Sequence, residues 1–478
     1  MKTLIETKSF INPQEIWQLI ETNKNPTKQQ IRDIIQKSLS IETLTPQEVA
    51  FLINLKDEEL WQEVFETALK IKKKVYDNRI VLFAPLYVSN YCVNNCVYCG
   101  FRSSNKVVIR KQLSFEEIKN EVEILVGKIG HKRLIAVFGE HPKYSNIDYI
   151  VKTLETIYSV KVKTKSSYNS IRRVNVNCAP LSVEELKELK KAGIGTYQVF
   201  QETYHPEVYK KLHPNNTPKS NYFWRLYCMH RALEAGVDDV GIGVLYGLYD
   251  WRFEVLSLVY HARDLEEKFG IGPHTVSFPR LEPAVNTPFV EETPYKVSDE
   301  ELKKIIAILR LAIPYTGMII TARETKEFRN QAINLGITQT DASSKIGIGA
   351  YSQQEDTQAP NLQQFILGDT RSLEEMVRDL AEMGYISSFC TAGYRCSRTG
   401  GKIMNLLKCG KEAIFCKLNA ILTFKEWVDD FATEETKVIA NKLIEKEMQE
   451  VKEKIPQWYD LLLKYYQKIV QGERDLYF

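Results

Sequence analysis

Between Ile80 and about Ala350 the chain alternates short apolar runs with amphipathic stretches, and this alternation limits its fold more than any other feature. Eight runs have strand character: Ile80–Leu86, Arg133–Phe138, Arg173–Asn177, Thr196–Gln201, Asp239–Leu245, His274–Pro279, Gly317–Thr321 and a weaker one near Gly336–Thr340. Serine followed three residues later by glutamate, at Ser114/Glu117, Ser182/Glu185 and Ser298/Glu301, marks helix starts between them. In that pair each side chain satisfies a backbone N–H that would otherwise be left unpaired. Strands alternating with helices imply right-handed crossovers and a parallel sheet. Eight such units over about 270 residues suit a closed (β/α)8 barrel better than an open sheet. The expected fold class is therefore α/β: a TIM-type barrel at 80–350, a helical extension at 1–79 and a mostly helical C-terminal domain at 351–478.

The flanks are read more coarsely. Asn12-Pro13 and Thr45-Pro46 are helix starts, and Thr45 with Glu48 has the capping-box spacing. Leu60, Trp61, Val64, Phe65, Ala68 and Leu69 recur at helical spacing, and the run Lys70, Lys72, Lys73, Lys74 is expected to be a solvated helix end. After residue 350 the alternation is expected to stop. A polar, Gln-rich connection (Ser352–Gln364) leads to a helix capped by Ser372 and Glu375, then a cysteine-containing segment from Ser387 to Gly410. Helical patterns around Thr423–Ala432 and Glu435–Gln471 follow.

Charge is nearly balanced, 64 basic residues against 61 acidic for a net +3, so nothing demands a nucleic-acid or membrane partner. The longest apolar run, Ile305–Ile320, is interrupted by Arg310 and Pro314 and falls short of the ~18 residues a membrane span needs. The opening MKTLIETKSFINPQE lacks the apolar run of an export signal. Nine cysteines in such a chain point to the reducing cytoplasm, where clustered thiols more often bind metal than form disulfides.

Cys92, Cys96 and Cys99 lie in SNYCVNNCVYCGFR, directly after the first expected strand. That is where barrel enzymes place their chemistry. A CxxxCxxC loop can wrap three thiolates around three irons of a 4Fe-4S cluster, leaving the fourth iron open to a small molecule. Tyr98, between the last two cysteines, offers a ring to a base or an apolar wall to the cluster. A zinc site completed by a distant histidine, or three unrelated thiols, are the alternatives.

The loop resembles the signature of the radical S-adenosylmethionine (SAM) superfamily. The resemblance implies that the open iron docks the methionine amine and carboxylate of SAM, and that an electron donor protein supplies the cluster. Gly139-Glu140, ending the second strand, looks like the glycine-glutamate loop of that family, with Phe138 where a second glycine is common. Glu202 in QETYH and Arg225 match a Glu and an Arg that touch the ribose and carboxylate of SAM. A plain Glu–Arg pair at the barrel rim is the alternative. Gly241 and Gly243 either let the backbone approach the adenine or relieve a crowded strand.

Longer strings carry a closer resemblance. APLYVSNYCVNNCVYCGFR, RRVNVN, QETYH, GVDDVGIGVLYGLYD, GPHTVSFPRLEPA and GERDLYF together resemble the FeFe-hydrogenase maturases that act as radical tyrosine lyases. The shorter tyrosine lyase of thiazole synthesis, 2-iminoacetate synthase, would share the barrel but not the C-terminal part. The resemblance implies cleavage of the tyrosine Cα–Cβ bond to p-cresol and dehydroglycine. In the maturases carbon monoxide and cyanide then form on an extra iron beside a second cluster, for use with other hydrogenase maturation proteins. It also implies that Arg323 meets the tyrosine carboxylate, with Ser344 a further substrate contact, and that His274 binds the extra iron. A rim salt bridge between Arg323 and Glu324 or another acid, and a hydrogen-bonded core role for His274, are the alternatives.

One position breaks the pattern. The maturase C-terminal motif is CxxC, then twenty-two residues and a third Cys, but here Cys390 and Cys416 flank Gly393 at the middle site. Three readings follow: Cys396 replaces the missing thiolate, an exogenous thiolate completes a weak cluster, or the second cluster is absent and the two cysteines are ordinary buried thiols. Cys178 and Cys228 are expected to be packing residues, and Cys409 fits no pattern.

Overall fold

All eight expected strands form, and they close on themselves. The computed structural model describes residues 8–214, 216–353 and 359–478. Its barrel strands are β1 Arg79–Ser89, β2 Arg133–Phe138, β3 Arg173–Asn177, β4 Tyr197–Gln198, β5 Val240–Gly243, β6 Thr275–Ser277, β7 Gly317–Ile320 and β8 Gln339–Asp341. Each pairs in parallel with the next, and β8 returns to β1 through Val81–Gln339, Leu82–Thr340 and Phe83–Asp341. The C-terminal strand ends therefore share one face, the mouth, and the N-terminal ends share the other, the floor. The capping boxes at Ser114, Ser182 and Ser298 start the helices Phe115–Ile124, Val183–Lys191 and Asp299–Ala312.

β8 carries little apolar pattern because its buried residues are polar. Gln339, Thr340 and Asp341 are all buried. The Arg329 guanidinium donates to Thr340 Oγ1 at 2.6 Å and pairs with Asp341 at 3.3 Å and Asp369 at 2.6 Å. A polar strand of this kind has no period-2 apolar signal to detect.

On the N-terminal side, helices Pro13–Thr22, Lys28–Leu39, Pro46–Ile53 and Glu58–Tyr76 start at Asn12, Thr27, Thr45 and Asp57. They pack on the barrel helices Trp251–Phe269 and Asp299–Ala312, and their apolar faces join one continuous core with the barrel. The basic run at the end of the fourth helix is not wholly solvated. Lys70, Lys73 and Lys74 are exposed, but Lys72 is fully buried with its ammonium 4.6 Å from the Tyr385 ring, and burial drives its pKa well down. The C-terminal segment that covers this helix is what encloses it, and no local pattern records that cover.

The alternation also runs further than expected. Helix Leu373–Glu382 leads to a ninth strand of the same sheet, β9 Ile386–Ser388, parallel to the start of β1 through Arg79–Ile386 and Val81–Ser388. Two of its three residues are fully buried serines, which is why it escapes a hydropathy reading. Residues 1–7 and part of the Gln-rich stretch lie outside the described residues. The segment from Ser387 to Gly410 contains two short helices, Ala392–Arg395 and Gly400–Lys408. The chain then ends in Glu412–Phe431, Glu434–Lys454 and Tyr459–Val470, the last two separated at Pro456. No described helix is long and apolar enough to cross a membrane.

Helix Glu412–Phe431 is held to the barrel floor by buried charge. Glu426, fully buried, pairs with Lys132 just before β2 and with Arg172 just before β3, the latter at 2.8 Å. It also accepts from the Asp475 backbone N–H at 2.6 Å. Burial alone would raise the Glu426 carboxyl, but the Arg172 and Lys132 cations outweigh it and hold the pKa at about 2. Removing one partner of such a group leaves buried charge unpaired, so Glu426→Gln should destabilise the chain by about 3–5 kcal/mol. Urea unfolding should show this as a lower midpoint at similar slope, whereas an unchanged midpoint would mean the floor is held by apolar packing alone.

Candidate active site and the second cavity

The three clustered cysteines sit on the loop leaving β1, at the mouth. Cys92, Cys96 and Cys99 line a cavity of about 250 Å3 that runs into the barrel. The loop is fixed by a backbone bond and a side-chain bond: Val93 N–H donates to the Glu140 carbonyl at 2.8 Å, and Asn90 Nδ2 donates to the Ile109 carbonyl at 2.8 Å. Two amides point at the sulfurs. Asn94 Nδ2 lies 3.7 Å from Cys92 Sγ, and Gln364 Nε2 lies 3.5 Å from Cys99 Sγ. Hydrogen bonds to the sulfurs are a known means of tuning an iron–sulfur cluster. Burial pushes the Cys96 thiol up to about 12, so a bare thiolate is disfavoured there, whereas a metal-bound one stays ionised. Among the described residues no three His, Cys, Asp or Glu side chains are placed to hold a single ion. Three thiols on one short loop fit the donor set of a cluster, in which each thiolate takes its own iron.

The strand ends bring Tyr98, Gly139, Glu140, Glu202, Arg225 and Arg323 to the same wall, while Gly241, Gly243 and Ser344 lie off it. Glu140 accepts from Asn94 Nδ2 at 2.6 Å, and Gly139 is pressed against the cysteine loop, where a Cβ would stand 2.4 Å from the Tyr91 carbonyl oxygen. Tyr98 lines the cavity, and its hydroxyl is bonded to His213 Nε2 at 2.7 Å. Glu202, in the left-handed region at φ 72°, bonds Lys219 at 2.7 Å and Arg225 at 3.0 Å. Those two cations outweigh burial and hold the Glu202 carboxyl at about 2. Gly241 and Gly243 relieve crowding, since a Cβ would meet Thr275 Oγ1 and the Ser277 carbonyl oxygen, each at 2.6 Å. Arg323 lines the cavity with its guanidinium 3.3 Å from the Phe365 ring centroid. Its expected rim partner, Glu324, is instead taken by Arg280. Ser344 is buried against Asp341, 2.5 Å away, behind the wall.

Several wall residues carry no motif. Lys219 belongs to a one-turn 3-10 segment, Pro218–Ser220, and Gln364 and Phe365 come from the end of the Gln-rich connection, which is thus part of the site and not merely a surface link. Cys178 also reaches the wall, while Cys228 packs behind it against the Tyr197 hydroxyl at 3.5 Å and Cys409 is exposed.

A second, smaller cavity of about 70 Å3 lies at the floor. His274 before β6, Cys390 after β9, Gly393 and Cys416 all line it, although they are far apart in the chain. Arg79 projects among them beside both thiols, and burial pushes Cys416 up to about 12. Asp239 faces His274 at 3.9 Å. Cys396 is not on this wall: its thiol points to the Phe478 carbonyl oxygen at 3.7 Å. With two thiols, a glycine and a guanidinium, the residues present do not fit a three-thiolate cluster.

Comparison with known proteins agrees with this geometry. The Radical SAM superfamily profile matches residues 86–257, and the Biotin and Thiamin Synthesis associated domain matches 277–386. The 2-iminoacetate synthase of Salmonella typhimurium is 32% identical over 73% of this chain and 88% of its own. A crystal structure of HydG, a maturase of the FeFe-hydrogenase, is 48% identical and superposes with a TM-score of 0.93 over 98% of this chain and 100% of its own. The chain belongs to the HydG family of radical SAM proteins. The FeFe-hydrogenase maturase HydG from Carboxydothermus hydrogenoformans is 40% identical, with a TM-score of 0.79 over 96% of this chain and 97% of its own. The HydG likeness extends past the barrel into the C-terminal helices, so Gly393 lies within a region that this chain shares with HydG.

Proposed function

We propose that the chain is a radical SAM lyase that cleaves the Cα–Cβ bond of L-tyrosine to p-cresol and dehydroglycine, and that dehydroglycine is its released product. The observation that supports this best is the one continuous cavity wall that joins the three cysteines, the Glu202–Lys219–Arg225 cluster and Arg323. Cys92, Cys96 and Cys99 would hold the 4Fe-4S cluster. Bound there with SAM and given one electron by a donor protein, it supplies a 5′-deoxyadenosyl radical. Arg225 and Lys219 would offer cations to the SAM carboxylate, and Glu202 would accept from the ribose hydroxyls. Tyr98, Gly139 and Glu140 would shape the methionine end. Arg323 would take the tyrosine carboxylate while the barrel wall keeps water from the radical.

The floor cavity supports release of dehydroglycine over its conversion to carbon monoxide and cyanide, because it lacks the third thiolate for a second cluster. Nine free cysteines suit a reducing compartment, for which we propose the cytoplasm. Anaerobic incubation of the cluster-loaded protein with SAM, a reductant and tyrosine should yield p-cresol, 5′-deoxyadenosine and glyoxylate from dehydroglycine hydrolysis, without carbon monoxide. No p-cresol from protein whose reduced cluster responds to SAM by EPR would remove the tyrosine reading. No EPR response to SAM would favour a non-catalytic iron–sulfur scaffold.

A further inference from the structure

We propose that Glu282 receives the α-ammonium group of the substrate while Arg323 holds its carboxylate, so that the two form a clamp for a free α-amino acid. The inference deepens the lyase reading above and rests on it. It starts from the charges on the main cavity wall. Five carboxyl groups line it: Glu140, Glu202, Glu282, Glu324 and Asp341. Four have partners. Glu140 accepts from Asn94, Glu202 pairs with Lys219 and Arg225, Glu324 pairs with Arg280, and Asp341 accepts from the Ala322 N–H and from Ser344. Among the described residues Glu282 is the wall carboxyl that makes neither a hydrogen bond nor an ion pair.

The cations divide in the same way. Lys219 and Arg225 are committed to Glu202, which leaves Arg323. Its polar contact is one long bond, 3.5 Å, to the Arg280 carbonyl, and its flat face rests on Phe365. One acid and one base on adjacent strand ends, after β6 and β7, are therefore unmatched. They feel each other electrostatically but do not come within ion-pair distance among the described residues. Unpaired opposite charges in a partly dry cavity are costly unless something bridges them. A zwitterion of matching polarity does so without adding net charge.

The segment that carries Glu282 is rigid enough to act as a receptor. Leu281 N–H donates to the Tyr246 carbonyl at 2.9 Å, and Ile366 N–H donates to the Pro283 carbonyl at 2.8 Å. Arg280 is pinned by Glu324 and by Asp299 at 2.8 Å, beneath the Phe328 ring. Burial and the Glu324 carboxylate push Glu282 up to about 7, against the pull of Arg323 and Arg280. The site therefore lacks a positive partner at that carboxyl, which an ammonium group would supply.

The test is equilibrium binding of three ligands to the anaerobic, cluster-loaded protein with SAM: tyrosine, tyramine without the carboxylate, and 3-(4-hydroxyphenyl)propionate without the amine. Glu282→Gln should lose about tenfold or more in affinity for tyrosine and tyramine while keeping its affinity for the propionate. Retained propionate binding also shows that the variant is folded. Arg323→Gln should lose tyrosine and propionate and keep tyramine. Unchanged tyrosine binding by Glu282→Gln, or equal losses for tyrosine and the propionate, overturns the clamp. If the wild type then still forms p-cresol, the clamp falls and the lyase reading stands. A wild type that binds no amino acid overturns both.

Discussion

Cys96→Ala should reduce the iron of the reconstituted protein from about four atoms per chain to below about one, and p-cresol formation to background. Three thiolates on three irons are the minimum that holds the cluster with its fourth iron open, so loss of one removes both the anchor and the open corner. The fold should survive. Cys96 packs in a small apolar group with Tyr98, Leu212, Leu245 and Leu248, apart from the main core, and deleting one sulfur there costs about 1 kcal/mol. The apo protein should therefore melt within about 3 °C of the wild type. Cys409→Ala is the matched control, since that thiol is exposed and lines neither cavity; iron and turnover should not change. Four irons and normal turnover in Cys96→Ala would mean that the radical cluster is held elsewhere.

How far the molecule is legible in its sequence depends on whether a feature has a local pattern. The barrel is legible because β2 is a compact apolar run, β3 alternates valine with polar residues and the capping boxes are local chemistry, so all can be read within a few residues. β9 is not, because Ser387 and Ser388 owe their burial to a strand far away in the chain. Lys72 is misjudged for the same reason: helical spacing places it beside exposed lysines, and only the C-terminal cover encloses it. In the site, the cysteine spacing is informative because a loop of fixed length sets the reach of its thiols. Lys219, Gln364 and Glu282 are brought in by the closure of the barrel and by a connection with no periodicity, so nothing near them in sequence marks their role. The resemblance to the tyrosine-cleaving maturases supplies Arg323. The structure adds that its neighbouring acid is already engaged, which decides between a rim salt bridge and a free guanidinium.

The floor cavity yields the other large effect. Gly393→Cys should raise the iron of the reconstituted chain from about four atoms to about eight, with a second EPR-active cluster that does not respond to SAM. The argument is steric before it is chemical. Gly393 has no positive φ, and a Cβ there would meet the Arg398 carbonyl oxygen at 3.4 Å and Ile403 Cδ1 at 4.0 Å, both ordinary contacts. A cysteine can therefore enter without moving the backbone. It would stand on the same wall as Cys390 and Cys416, completing three thiolates, with Arg79 left to offset the charge of the cluster. Alternative outcomes separate the readings of this site. Eight irons in the wild type, lost in Cys396→Ala, would mean that the 396 loop swings away from Phe478 to supply the missing ligand. Eight in the wild type that survive Cys396→Ala would point to an exogenous thiolate. Four in both the wild type and Gly393→Cys would mean that Cys390 and Cys416 are packing residues and that this floor does not hold a cluster even when its third ligand is restored.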